Sequence, residues 1–167
     1  MAKLTGRIGG GIGGYDIEAD IENGIISGRI GGIIFGSDIN LKYSISQGSI
    51  NGRIGGVFIG RSVEGDITLD SASFRIGGII DGYDISLNVE NNRINGRCGG
   101  PAIGFDVDIS FSQGYFSGRL GGSIVGHDVN VQAINVEPIV AGTLISIAYY
   151  IYQVNHRSSG SGGSSNN

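Results

Sequence analysis

Apolar and polar residues alternate singly along most of residues 1–135, and the phase of that alternation flips at regular intervals. Ile26, Ile30 and Ile34 share one face with Gly28, Gly32 and Gly36. After the tripeptide Gly36-Ser37-Asp38, the apolar face is carried by Ile39, Leu41 and Tyr43, while Asn40, Lys42 and Ser44 take the other. A period of two marks a half-buried β-strand, and glycine-rich interruptions mark turns. Similar stretches begin at Gly6, Gly28, Gly52, Phe74, Gly96 and Gly118, at intervals of 22, 24, 22, 22 and 22 residues. Self-similarity at a fixed period is the signature of a repeat architecture. Each unit supplies two strands, which predicts about twelve strands in all.

Two arrangements fit such a pattern. One is an antiparallel meander with a hairpin in each unit; the alternative is a parallel β-solenoid with one rung per unit. Turn chemistry favours the hairpin. Asn23-Gly24 lies between two alternating runs, and a type I′ turn needs positive φ at both central positions, which Asn-Gly supplies. Gln47-Gly48, Asn91-Asn92 and Gln113-Gly114 occupy the matching places. A two-residue turn at Asn23-Gly24 sets Ile17 against Ile30, Ala19 against Gly28 and Glu18 against Arg29. The same rule sets Val107 against Leu120 and Asp108 against Arg119. It also sets Lys42 against Arg53, a like-charge pair that runs against the pattern. Charge disfavours the solenoid as well, because it would stack Arg7, Arg29, Arg53, Arg75, Arg97 and Arg119 about 4.8 Å apart. The third unit carries four more residues before Asp66 and four fewer after it, which predicts a bulge, a corner or an altered turn there.

The repeat dissolves at Val136. Pro138 suits a first helical turn, and Glu137 suits the positive end of a helix dipole. Residues 139–152 are uncharged and apolar nearly all round, so a helix here must be buried on every side. The organisation expected is a six-unit glycine-rich β-domain over 1–135, a hydrophobic helix packed on the sheet within 136–157, and a flexible Gly/Ser tail over 158–167. A barrel of about twelve strands is too wide for its own side chains to fill, and such barrels can close around a central helix. The expected fold is therefore an all-β, barrel-like meander around one C-terminal helix. Glycines on the isoleucine face leave room for that helix.

Composition narrows the functional classes. The chain of 167 residues has 33 glycines, 16% charged residues and a net charge of −4, which disfavours nucleic acid, whose phosphates require clustered positive charge. Cys98 is the one cysteine, so no intrachain disulfide forms, and no apolar leader precedes the first unit. The cytoplasm is the default expectation, with membrane association as the alternative.

Repetition accounts for most candidate chemistry. The G-x-G-x-x-G spacing within residues 9–14 is followed by a strand, not by the helix that dinucleotide binding requires. In the string at 31–38 the aspartate falls six positions after Gly32, which is wrong for a calcium nonapeptide. Asp16, Asp38, Asp66, Asp84, Asp106 and Asp128 are expected as turn caps. The arginine column (Arg7, Arg29, Arg53, Arg75, Arg97, Arg119) is expected as a solvated stripe. Cys98 takes an isoleucine position and His127 a turn position. These residues are assigned structural roles; no catalytic, cofactor or metal residue is assigned, and no enzyme is expected. The leading reading is a β-repeat scaffold or interaction protein that binds itself or another protein. The alternatives are membrane insertion through residues 139–154 and a barrel holding an apolar ligand.

Overall fold

The computed structural model describes residues 1–10, 13–31, 36–55, 60–78, 80–99, 104–121 and 126–158. Its first strands are β1 (Ala2–Ile8), β2 (Tyr15–Glu22), β3 (Ile25–Ile30), β4 (Ser37–Ser44), β5 (Ser49–Gly55) and β6 (Gly60–Ile67). They continue as β7 (Ser71–Ile76), β8 (Tyr83–Glu90), β9 (Arg93–Gly99), β10 (Gly104–Ser112), β11 (Tyr115–Gly121) and β12 (Gly126–Ile134), followed by helix α1 (Pro138–Ser158). Each strand pairs antiparallel with its sequence neighbours, and β1 closes on β12, from Lys3 opposite Ile134 to Ile8 opposite Val129. The result is a closed twelve-stranded meander. No solenoid is needed to explain the period.

Short turns gather at one end of the barrel and glycine-rich connections at the other; we call these the hairpin end and the glycine end. Asn23 and Gly24 both have positive φ, as do Asn91 with Asn92 and Gln113 with Gly114, which is the geometry of a type I′ turn. The β2–β3 and β10–β11 registers follow, with Glu18 opposite Arg29 and Asp108 opposite Arg119.

The Lys42–Arg53 pairing does not occur: Arg53 faces Asn40, and Lys42 faces Asn51. At the β4–β5 connection only Gly48 has positive φ, so Gln47-Gly48 cannot form the two-residue turn. The strands are joined instead by the four residues 45–48, with the Gln47 amide donating to the Ser44 hydroxyl at 3.2 Å. Those two additional residues are the origin of the single 24-residue interval.

The third unit also differs from its expected alignment. Arg53 faces Ser62 on β6, whereas Arg29 and Arg75 face Asp38 and Asp84 at the equivalent place. Ser62 therefore holds the aspartate column, and Asp66 lies near the hairpin end between Ser49 and Ser73. Nothing is inserted before it. The expected altered turn is present at Leu69-Asp70, where the Thr68 amide donates to the Ser71 carbonyl at 2.8 Å.

Inside the barrel, one glycine column sets how closely the strands coil. Gly28 lies between Ala19 and Ile39, Gly52 between Leu41 and Val63, and Gly96 between Leu87 and Val107. A Cβ on Gly28 would stand 2.1 Å from the Glu18 carbonyl oxygen, and one on Gly96 would stand 2.1 Å from that of Ser86. Glycine inside a strand marks such close backbone approach. One unit reverses the arrangement. Phe74 occupies the glycine column, and its partner on β6 is Gly65, where other units place Ala19, Leu41, Leu87 and Ile109. Size has been exchanged across the strand pair, and the interior stays filled.

Helix α1 provides the rest of the core. Thirteen consecutive residues, 139–151, are buried, with Ile139, Leu144, Ile145 and Ile147 all at 0% exposure. At 1.5 Å per residue the helix is about 31 Å long, enough to run from the hairpin end, where β12 stops, to the glycine end. Its start is fixed by Glu137, whose carbonyl accepts from the Ala141 amide and whose carboxylate accepts from the Tyr43 hydroxyl at 3.2 Å. The expected Gly/Ser tail lies outside the described residues beyond Ser158.

Candidate functional site

The polar chemistry of the wall is a girdle of ion pairs near the glycine end. Arg7 pairs with Asp16, Arg29 with Asp38, Arg75 with Asp84, Arg97 with Asp106 and Arg119 with Asp128, at 2.5 to 3.2 Å. All ten residues point outward, with side chains 35 to 69% exposed. The aspartates differ from their expected role: their carboxylates accept from an arginine on the next strand. These pairs are solvent-screened, and each is worth less than about 1 kcal/mol. Arg53 donates to the Gly60 carbonyl at 3.3 Å.

The column just before the aspartates faces the end of α1 and forms a collar. Tyr15, Ser37, Arg61, Tyr83, Phe105 and His127 occupy it in chain order. Phe105 packs edge-on against Tyr149 at 4.6 Å between centroids, and Tyr83 lies 5.2 Å from Tyr150. Tyr15 meets Tyr152 at 5.2 Å, and the Asn155 amide donates to the Tyr15 hydroxyl at 2.9 Å. His127 contacts the Tyr152 ring, and its Nδ1 lies 3.2 Å from the Tyr149 hydroxyl. Desolvation lowers the pKa of His127, and the neighbouring His156 and Arg119 push it the same way. His127 is thus a member of β12 that clamps the helix, where a turn residue was expected.

Two members of the collar are not aromatic, and there the ring of contacts opens. Between Ser37 and Arg61 on the wall and Ile151, Val154 and Asn155 on the helix lies a cleft of about 570 Å³. The Arg61 guanidinium lies 5.7 Å from the Tyr150 ring centre, with Nη1 4.0 Å from Asp81 Oδ2. Burial raises the Tyr150 phenol to about 12, although Arg61 opposes the shift. The phenol therefore stays neutral.

The interior offers little reactivity. Cys98 is fully buried, and burial, aided by Asp84, pushes its thiol up to about 12. A nucleophilic cysteine needs the opposite environment. Thr143, Ser146 and Tyr150 are buried hydroxyls with no hydrogen-bond partner. They recur at helical spacing, forming a thin polar stripe along α1. Among the described residues, no three His, Cys, Asp or Glu side chains gather in a way that would hold a metal ion. The G-x-G-x-x-G and calcium-like strings fall partly on residues 11–12 and 32–35, outside the described residues.

Sequence reasoning passed over Arg61, Ser62 and Ser37. The signal was present, because counting ten residues from each unit start reaches five aspartates and Ser62. Aligning the third unit on Asp66 hid it. No protein-family model matches the chain, nor does any curated protein or solved structure in the comparisons made.

Proposed function

We propose that this chain is a non-enzymatic scaffold or interaction module, a rigid barrel stabilised by its own helix. The observation that carries this reading is the burial of residues 139–151 inside the barrel. That segment also motivated the two alternatives, membrane insertion and an internal apolar ligand. In the closed barrel it is already in an apolar environment, and it occupies the space that such a ligand would need. Among the described residues, no helix is long and apolar enough to cross a membrane. The wall itself does not resemble a lipid-facing surface: β2 alone turns Asp16, Glu18, Asp20 and Glu22 outward, whereas a membrane barrel needs an outward apolar band. Closure by β1 and β12 leaves no open strand edge, so self-association would have to use the walls or the ends.

The test is co-flotation of the full chain with neutral and anionic vesicles, alongside native mass spectrometry of the freshly purified protein. The scaffold reading expects the protein to stay out of the vesicle fraction and to carry no bound apolar molecule. Flotation would establish the membrane reading, and a retained lipid or fatty chain the ligand-barrel reading. Either result would displace the proposal.

A further inference from the structure

The second and third units depart from the others at adjoining places, and their departures meet in the cleft at the glycine end. Tyr15, Tyr83, Phe105 and His127 close the gap between wall and helix elsewhere in the collar. Here the column holds Ser37 and Arg61, one too short and the other cationic. The next column holds aspartate in five units and Ser62 in the third, opposite Arg53. Among the described residues bordering the cleft, the charged groups are Arg53, Arg61 and Asp81. Two arginines against one aspartate give +1, on a chain whose net charge is −4.

Arg61 lies between the Tyr150 ring, 5.7 Å from its centre, and Asp81, whose Oδ2 is 4.0 Å from Nη1. Ser62 is anchored by donating its hydroxyl to the Gly77 carbonyl at 3.0 Å. Val154, half-buried, supplies apolar surface beside the charged rim, with Ile54 and Ile151 buried behind it.

We propose that this cleft is a binding site for a small carboxylate with a short apolar body. A guanidinium presents a planar fork of donors that matches a carboxylate. One carboxylate neutralises the charge of the lining, whereas a phosphate dianion would leave it negative. The short hydrocarbon body lies along Val154. This goes beyond the scaffold reading and stands independently of it.

Titration of the full chain with hexanoate, followed by amide chemical shifts, tests the assignment. Saturable binding near about 1 mM is reasonable for so small a ligand, with shifts concentrated at Arg61, Ser62, Gly77 and Ile151. Inorganic phosphate and 1-hexanol, each lacking half of the recognised chemistry, should bind at least about ten-fold more weakly. Ser62→Asp gives the third unit the residue found in the other five and brings the lining to zero charge. It should weaken hexanoate at least about ten-fold while leaving the unfolding midpoint unchanged; Arg61→Gln should weaken it equally, with amide shifts away from the cleft unchanged to show that the variant folds. Arg97→Gln, in the same column as Arg53 but facing Asp106, should have no effect. The proposal is overturned by the absence of saturable binding, or by equal binding of hexanol or phosphate. Unchanged binding in both cleft variants would overturn it too, as would a loss in Arg97→Gln as large as that in Arg61→Gln.

Discussion

The exchange of Gly65 and Phe74 makes a quantitative prediction about how the barrel interior is filled. Phe74 is 3% exposed, and replacing it with glycine removes a buried ring; such truncations cost about 3–5 kcal/mol. Gly65→Leu alone is also unfavourable. Its Cβ would lie 2.3 Å from the Ser73 carbonyl oxygen, 2.4 Å from Phe74 Cα and 2.6 Å from Phe74 Cβ. Overpacking of this kind costs about 1–3 kcal/mol. Independent effects would sum to about 6 kcal/mol in the double variant. But Gly65→Leu with Phe74→Gly recreates the arrangement of Leu41 with Gly52 and of Leu87 with Gly96. The leucine then enters the space vacated by the ring, but its Cβ still meets the Ser73 carbonyl oxygen and the Cα of residue 74; the strands must also move apart, and the net loss should fall about 2 kcal/mol short of the additive sum. Urea unfolding followed by circular dichroism suits a chain without tryptophan. The double variant should be more stable than the sum of the two single losses predicts. If the losses simply add, the two positions do not share one volume and the reasoning fails.

Three further outcomes follow from the geometry. The unfolded chain protonates His127 near its ordinary pKa of 6.5, while the folded ring takes up a proton only at lower pH. The unfolded state therefore binds more protons as pH falls past 6.5, and stability present above that pH is lost on acidification. Thermal midpoints between pH 8 and pH 5 should fall less in His127→Phe, which copies Phe105 in the same column. Thr143→Val removes a buried hydroxyl without a partner and should raise stability by about 1 kcal/mol in urea titrations; a loss of similar size would mean that a buried water holds the hydroxyl. Arg119→Gln breaks one exposed ion pair with Asp128 and should shift stability by less than about 1 kcal/mol, with 1 M salt producing a comparably small change in the parent protein.

The repeat made the architecture readable because each unit states its strand pattern independently. Two-residue turns set the register wherever Asn-Gly, Asn-Asn or Gln-Gly takes positive φ twice, so Ile17 with Ile30 and Asp108 with Arg119 were predictable. The same rule failed at Gln47-Gly48. Turn length there depends on local bonds to Ser44 and Ile45, which a dipeptide signal does not contain. Burial of α1 could be read from residues without charge on any face. Its partners could not, because the collar joins Tyr149, Tyr150 and Tyr152 to rings as distant in sequence as Tyr15 and Tyr83. The cleft was obscured for a simpler reason: Asp66 drew the alignment four positions away from Ser62. Locally, an aspartate is the stronger motif; only the strand register shows that serine holds the column.

The claim beneath all of this is that the barrel and α1 form one cooperative unit. Cys98, the single thiol, buried in the wall between Ile85 and Phe105, reports on it directly. The decisive measurement compares thiol labelling of the full chain with that of residues 1–135, alone and with a peptide of residues 136–158 added. The account predicts a protected thiol in the full chain, rapid labelling in the truncated chain, and protection restored by the peptide. A truncated chain that keeps Cys98 protected and unfolds cooperatively would show that the barrel closes without its helix.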